Sequence, residues 1–444
     1  MLIVGNGMVV TRNPQNPFLK QGAVVIDGTI ITKVTSDQEI RKKHPDATYI
    51  DAKGCVIMPA FINTHEHGYS ALARGLSVKG YHPQGFLDIL DGMWWNIDRH
   101  LTLEGIRLSA MATYIEAVKN GVTTVFDHHA SYGAITDSLF TIEEAAKKVG
   151  IRVCLCYEVS DRDGKEKAKE AVLENERFIE HTLRLKDDMV AAMMGMHASF
   201  TISDETMELC AMHKPGKAGY HIHVAEGKED LSHCLDVYGK RVVERLMDWN
   251  ILGSNTLAAH CTYINHREIE CLKETDTMVV HNPESNMGNA CGYPAAMDIV
   301  HQGVLTGLGT DGYTQDMIES YKVANLLHKY QLQDANAAWS EVPEMLFNGN
   351  AKIANRYFDK PLGVLKEGAA GDVIITDYSP PTPMHAENIN SHILFGMTGR
   401  CVVTTIANGK ILMKDRILLN VDEEKIIKEC RKESEKLENS INNR

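Results

Sequence analysis

From Val56 to about Asn355, short apolar segments alternate with helical stretches, and no other feature of this chain narrows its fold so far. The apolar segments include Val122 to Phe126, Val153 to Tyr157, Gly219 to Val224, Thr256 to Ala259, Met278 to Val280 and Val304 to Gly309. Helical stretches such as Glu104 to Lys119 and Glu229 to Trp249 separate them. Strands that alternate with helices pair in parallel. About eight such units over about 300 residues suit a (β/α)8 barrel of the TIM type. A doubly wound open sheet is the rival, but no glycine-rich phosphate turn opens a helix after an early strand.

Both ends of the chain have a different rhythm. Gly22 to Val34 folds back on itself through Asp27-Gly28, and Val402 to Met413 does so through Asn408-Gly409, both strong hairpin turns. Gly371 to Asp377 reads as a further strand. The expectation is an α/β protein in which the barrel, residues 58–361, is inserted into a small β-sandwich domain built from residues 1–57 and 362–421. Residues 422–444 read as a charged, amphipathic C-terminal helix on the outside.

With 444 residues, 44% hydrophobic and 24% charged, the chain holds one large core and a satellite domain. A net charge of -13 and the lack of a basic stripe argue against nucleic acid or anionic lipid as partner. Met1 to Val10 lacks the features of a signal peptide, and no apolar run approaches the roughly 20 residues of a membrane span. A cytoplasmic location follows. The ten cysteines show no C-x-x-C spacing, which suggests neither a disulfide framework nor a cysteine-rich metal module. Cys154 and Cys156 alternate on a strand, where packing in the core is the better reading than metal binding.

Chemistry enters at Pro59 to His67, where an apolar strand ends in two histidines two positions apart. Positions i and i+2 of a strand point the same way. At the C-terminal end of a barrel strand both imidazoles face the mouth, where such folds place active sites. Gly219 to Glu226 ends another strand in His223, with Glu226 three residues on. His221 lies deeper on the same side and is an alternative ligand, though packing suits it better. Thr256 to Cys261 delivers His260 to the same rim, and Val304 to Gly312 delivers Asp311. His65, His67, His223 and Asp311 therefore form a ligand set for a divalent metal that activates water. Zinc is the first choice and iron the second. Two-metal sites need a bridging ligand, commonly a modified lysine, and Gly121 to His129 offers none, so one metal is expected. Glu226 then takes and returns protons. His260 hydrogen-bonds the nucleophile or the developing oxyanion, and Asp311 serves as ligand and base together.

The motifs His65-Glu66-His67, His221-Ile222-His223-Val224-Ala225-Glu226, His260 and Leu308-Gly309-Thr310-Asp311-Gly312 resemble the amidohydrolase superfamily over nearly the whole chain. The resemblance is to its branch of aminohydrolases and chlorohydrolases, which act on guanine, cytosine, adenosine derivatives and triazines. For the matching positions it implies the same metal ligands and the same roles for Glu226 and His260, and it implies a homodimer or larger oligomer. Asp127 to Ser131, Met93 to Trp95 and Asn282 to Asn289 are similar to SsnA-type aminohydrolases, which are associated with anaerobic purine breakdown. One position departs: many relatives carry a lysine where this chain has Gly288.

The pocket is expected to include Trp94, stacking on a planar heterocycle, with His128, His129, His197, His281 and Asn282 pairing with ring edges. Trp95 and Glu284 join them as candidates, although adjacent helical tryptophans do not share one face, so at least one of Trp94 and Trp95 should be core. The resulting expectation is a hydrolase that deaminates a purine-like or pterin-like ring, within purine catabolism. Hydrolytic opening of a cyclic amide or amidine in a reduced purine is the alternative. A non-catalytic binding protein on the same fold is the third reading.

Overall fold

The structure is a computed structural model that describes residues 1–443. The N-terminal strands are β1 (Leu2–Val10), β2 (Phe18–Asp27), β3 (Ile30–Ser36), β4 (Thr48–Asp51) and β5 (Val56–Pro59). The barrel contributes β6 (Phe61–Glu66), β7 (Val122–His129), β8 (Arg152–Tyr157), β9 (Val190–Ala192), β10 (Met194–Ala198), β11 (Tyr220–Val224), β12 (Leu257–His260), β13 (Met278–His281) and β14 (Thr306–Leu308). The chain then returns in β15 (Val373–Thr376), β16 (Val402–Ala407), β17 (Lys410–Lys414) and β18 (Ile417–Leu418).

Strands β6 to β9 pair in parallel in chain order, as do β10 to β14. Parallel bridges join these two arcs at both seams, Val159 to Met196 on one side and Glu66 to Asp311 on the other. Only Met193 separates β9 from β10, so the two share one station and the ring has the eight strand positions of a (β/α)8 barrel. Closure rules out an open doubly wound sheet. The β6–β14 seam is locked by one side chain. Asn350 Nδ2 donates to the carbonyls of Ile62 and Leu308 at 2.7 and 2.9 Å, and its Oδ1 accepts from the Leu308 amide at 2.7 Å. Every residue of β7 and β8 is buried, the polar Thr123, Thr124, Asp127 and Arg152 among them.

The terminal strands form one continuous nine-stranded sheet in the order β18-β17-β16-β15-β5-β1-β2-β3, with β4 on β1. It is a single sheet folded over a shared core rather than two separate ones: Val4, Val24 and Ile31 from one wing pack in the same cluster as Val373, Ile375 and Ile406 from the other. Backbone bonds such as Gly371 N to Thr29 O, at 2.8 Å, stitch the wings where they meet. Asn408 and Gly409, at φ 48 and 76, turn the β16–β17 hairpin through the left-handed conformation such short turns require. Glu229 to Trp249 is not one helix. It divides into Lys228–Tyr238 and Val242–Asp248, because Gly239 at φ 64 caps the first. The last helix, Glu423–Asn442, starts on Asp422, whose side chain accepts from Lys425 N. Among the described residues, no helix is long and apolar enough to cross a membrane.

Candidate metal and active site

Four strands bring their C-terminal ends to one point. His65 lies on β6 and His67 just beyond it, His223 lies next to the end of β11, His260 ends β12, and Asp311 follows β14. All five are buried. Asp311 Oδ1 is 2.8 Å from His67 Nε2 and 3.7 Å from His65 Nε2, and His223 Nε2 is 3.2 Å from His67 Nε2. The backbone is forced to reach this arrangement. Ala225, His260, Cys261 and Asp311 all take left-handed φ values between 46 and 70, a conformation that costs about 1–2 kcal/mol per non-glycine residue.

Hydrogen bonds sort the histidines into two kinds. His67 Nδ1 lies 2.6 Å from the carbonyl of His128, and His223 Nδ1 lies 2.9 Å from that of His197. A carbonyl only accepts, so each Nδ1 carries the proton and each Nε2 turns a bare lone pair inward. His65 is set the same way by a longer chain. Its Nδ1 is 2.8 Å from His221 Nε2, His221 Nδ1 is 3.7 Å from Cys156 Sγ, and that thiol donates to the Asp127 carbonyl at 3.8 Å. His65 Nε2 is buried without a protein partner. Three lone pairs and a carboxylate oxygen facing one another repel, and a cation resolves the conflict, so this donor set fits a divalent metal. His260 is the opposite case. Asn286 Nδ2 donates to its Nδ1 at 3.2 Å, which leaves the proton on Nε2, pointing at Glu226 Oε2 and Asp311 Oδ2 from 3.6 and 3.7 Å.

Electrostatics follow the same division. Burial and neighbouring imidazoles push His65 and His223 well below the usual histidine range. Burial also works against charge on His67, but Asp311 outweighs it and draws the pKa up to about 9, so that without a cation a proton on His67 Nε2 answers the carboxylate in its stead, 2.8 Å from Asp311 Oδ1. Asp311 itself is held below the carboxylate range, since His67 and His260 overcome its burial. Burial, and then Asp311, raise Glu226 well above that range, which favours its protonated form.

Of these groups His67, His223, Glu226 and Asp311 border a cavity of about 520 Å³, part of it open to solvent. Trp94 and His197 line it; His128 lies beneath, with Nε2 3.1 Å from the carbonyls of Met196 and His221. His129 is turned away onto Ser131 Oγ at 2.9 Å, and His281 onto His328 Nε2 at 3.1 Å. Asn282 is fully buried, and Glu284 accepts from Ser320 Oγ at 2.7 Å; neither borders the cavity. Trp94 and Trp95 are both half-buried and both line it, contrary to the expectation that one is core. Adjacent helical side chains diverge by only about 100°, so one packs on Tyr69 and the other on His197 along neighbouring walls. Cys154 and Cys156 are buried, and no thiol belongs to the clusters of potential ligands among the described residues.

Sequence reasoning passed over Tyr69, Glu158, Ser285 and Tyr313, which also line the cavity. Glu158 carried a usable signal, since it follows the apolar strand β8 directly, as Asp311 follows β14. Burial opposes its ionisation, but His197, His128 and Arg162 hold its pKa down to about 2. Gly288 also acquires a reason: a Cβ there would fall on the Tyr313 hydroxyl, which occupies the place of a side chain at 288.

Sequence comparison agrees with this geometry: the profile of the amidohydrolase family matches residues 56–412, and the chain belongs to that family. It is 32% identical over 450 residues to a 5'-deoxyadenosine deaminase of Methanosarcina mazei, covering 99% of each chain. It is 32% identical over 421 residues to a 5-methylthioadenosine/S-adenosylhomocysteine deaminase of Thermococcus sibiricus, covering 93% of this chain and 94% of the other. Among solved structures, an adenosine deaminase from Xanthomonas campestris with bound zinc superposes with a TM-score of 0.86 at 20% identity, covering 98% of both chains. A zinc complex of atrazine chlorohydrolase from Arthrobacter aurescens gives 0.82 at 22% identity, covering 99% of this chain and 100% of the other.

Proposed function

We propose that this chain is a metal-dependent aminohydrolase that removes the amino group of a purine-like or pterin-like ring as ammonia. The observation that carries the reading is the convergence of the inward Nε2 atoms of His65, His67 and His223 with Asp311, beside the Glu226 carboxyl and the N–H of His260. His65, His67, His223 and Asp311 would hold one divalent ion, zinc by analogy with the structures it resembles. When bound, such an ion lowers the pKa of water to about 7 and so supplies a nucleophile at neutral pH.

The chain's own groups do the rest. Glu226 gives its proton to the ring nitrogen beside the attacked carbon, which opens that carbon to water. Asp311 Oδ2 takes a proton from the attacking water, and His260 Nε2–H steadies the new oxygen. As the C–N bond breaks, Asp311 passes the proton it took to the departing nitrogen, which leaves as ammonia, while the remaining hydroxyl proton returns to Glu226 and a C=O forms in the amine's place. The relatives named as deaminases of adenosine derivatives support this class of reaction. The same reading takes residues 1–57 with 362–421, residues 58–361 and residues 422–444 as the three structural units. It makes the enzyme a cytoplasmic homo-oligomer, and places it in purine catabolism.

The test is metal analysis and ammonia release over a panel of aminopurines and aminopterins. One bound metal and ammonia in proportion to product are expected, with Asp311→Ala losing both while keeping its circular dichroism spectrum. A product that gains water without ammonia would replace this reading with ring opening, and no turnover by metal-loaded protein would leave a binding protein.

A further inference from the structure

At the end of β6 opposite to the histidines, a cation is buried without a counter-charge. Arg12 follows β1, and its side chain borders a cavity of about 270 Å³ between the terminal sheet and the start of β6. Part of this space opens to solvent, and its inner part admits about one water-sized group. Arg12 is half-buried as a residue, but its Nε and Nη2 are shut off from solvent and have no hydrogen-bond partner. Nη1 is already used, donating to Asn390 Oδ1 at 2.7 Å. The guanidinium carbon sits 3.4 Å from the centre of the Phe347 ring, which covers one face of the group. What remains is the Nε–Nη2 edge, which presents two parallel N–H groups.

Nothing around this edge answers its charge. The walls are Met58 to Ile62, Leu346, Phe347 and Gly363, with no charged or polar side chain among them. Burial draws the pKa of Arg12 down to about 9 and only Tyr321 works the other way, so the group stays charged at neutral pH. Nor is the backbone free to carry the side chain elsewhere. Arg12 is held at a left-handed φ of 55 by bonds on either side: Thr11 N donates to Pro17 O at 3.0 Å, Leu365 N to Thr11 O at 2.8 Å and Asn13 N to Thr11 Oγ1 at 3.0 Å. A strained residue that turns a charged edge onto apolar walls is costly until an anion meets it.

We infer that the Nε–Nη2 edge of Arg12 binds one small monovalent anion, of the class of chloride, nitrate or formate, and that this anion fastens the terminal sheet to the barrel. One guanidinium balances one negative charge, whereas sulfate or phosphate would bring a second into an apolar pocket. The inner part also has no room for a larger group. Nitrate and formate match the fork with two oxygens, and chloride accepts from both N–H groups at once. Phe61 and Ile62 open the strand that carries His65, and Phe347 belongs to Glu344–Gly349, the turn that leads into Asn350 at the β6–β14 seam. The anion therefore ties the loop after β1 to two elements beneath the rim. None of this depends on the reaction proposed above.

The experiment follows the melting temperature of the metal-loaded protein and of Arg12→Met while sodium gluconate is replaced stepwise, at constant ionic strength, by chloride, nitrate, formate or sulfate. Salts also act on any protein surface, sulfate most strongly, so the reading is the difference between the two proteins in each salt. A ligand that binds only the folded chain stabilises it with the logarithm of its concentration above Kd. The parent is expected to gain about 2 °C or more on Arg12→Met in each of the three small anions, and nothing in sulfate. Bromide, in place of chloride in crystals of the parent, should give an anomalous peak between Nε and Nη2 of Arg12, a reading that stands even if Arg12→Met fails to fold. A difference that ignores the anion, one that grows equally in sulfate, or crystals in which only water meets Arg12 would overturn the inference.

Discussion

The barrel rim and the terminal sheet use the same rare backbone conformation to opposite ends. In the terminal sheet and its turns, Gly28, Asn408 and Gly409 adopt φ values of 59, 48 and 76 at little cost, and the less suited Arg12, Lys53 and Arg416 that share the conformation are exposed or half-buried. At the rim the same region is occupied by Ala225, His260, Cys261 and Asp311, all buried, and Ala225 and Cys261 are not suited to it. The sheet packs an apolar core of Val, Ile, Leu and Ala, whereas the rim collects unpartnered polar atoms, among them His65 Nε2, His128 Nδ1 and His260 Nε2. The sheet is arranged for stability, while the rim tolerates strain and unmet hydrogen bonds to aim its side chains.

That contrast can be broken or sharpened by substitution. Glu226→Gln, at the rim, is expected to lower kcat by about 10²- to 10⁴-fold, the usual scale for a lost proton donor, with metal content and melting temperature unchanged; a large drop in stability would show that Glu226 is structural. Asn350→Ala, at the seam below the rim, should cost about 3 kcal/mol in urea unfolding, because it takes a buried partner from the Ile62 carbonyl of β6 and from the Leu308 amide of β14 and leaves the Leu308 carbonyl to Thr64 Oγ1. A loss under about 1 kcal/mol would mean that the seam closes without it.

Glu284 offers a test by pH. Burial raises its pKa from 4.5 to about 8, so the folded state prefers the protonated form. Its contribution is fully present below 4.5 and is lost as pH rises through about 8. Glu284→Gln should therefore match the parent protein in acid and become progressively more stable than it towards pH 8, read as the difference in melting temperature across the titration. A constant difference would contradict the shift. The smallest effect is expected in the terminal sheet: Asn408→Ala should cost about 1 kcal/mol, the penalty of a left-handed alanine, and leave kcat/KM untouched. If activity falls, the sheet and the rim are coupled and the contrast fails.

The sequence showed the barrel because β7, β8 and β11 to β13 are buried apolar runs, each separated by helical spacing. It showed the core of the candidate site because the runs stop abruptly at His65, His223 and His260. Glu158 was overlooked although it ends a run in the same manner, since no second residue nearby repeated the signal. Two further features depend on distance in space. That Asn286 orients His260, and that Tyr313 fills the place beside Gly288, relate residues whose neighbourhood only the closed barrel creates. The single folded-over sheet was also hidden, because hairpin turns reveal strands but not which edges meet.

One such meeting bears on how the chain comes together in time. Strand β5 takes its second neighbour, β15, from about 300 residues further on, with Pro59 opposite Val373. At a synthesis rate of roughly 5–20 residues per second, that partner emerges about 15–60 seconds after β5 does. Throughout that interval the edge that will hold the sheet together lies bare, so the order of synthesis obliges the barrel to form beside an unfinished neighbour.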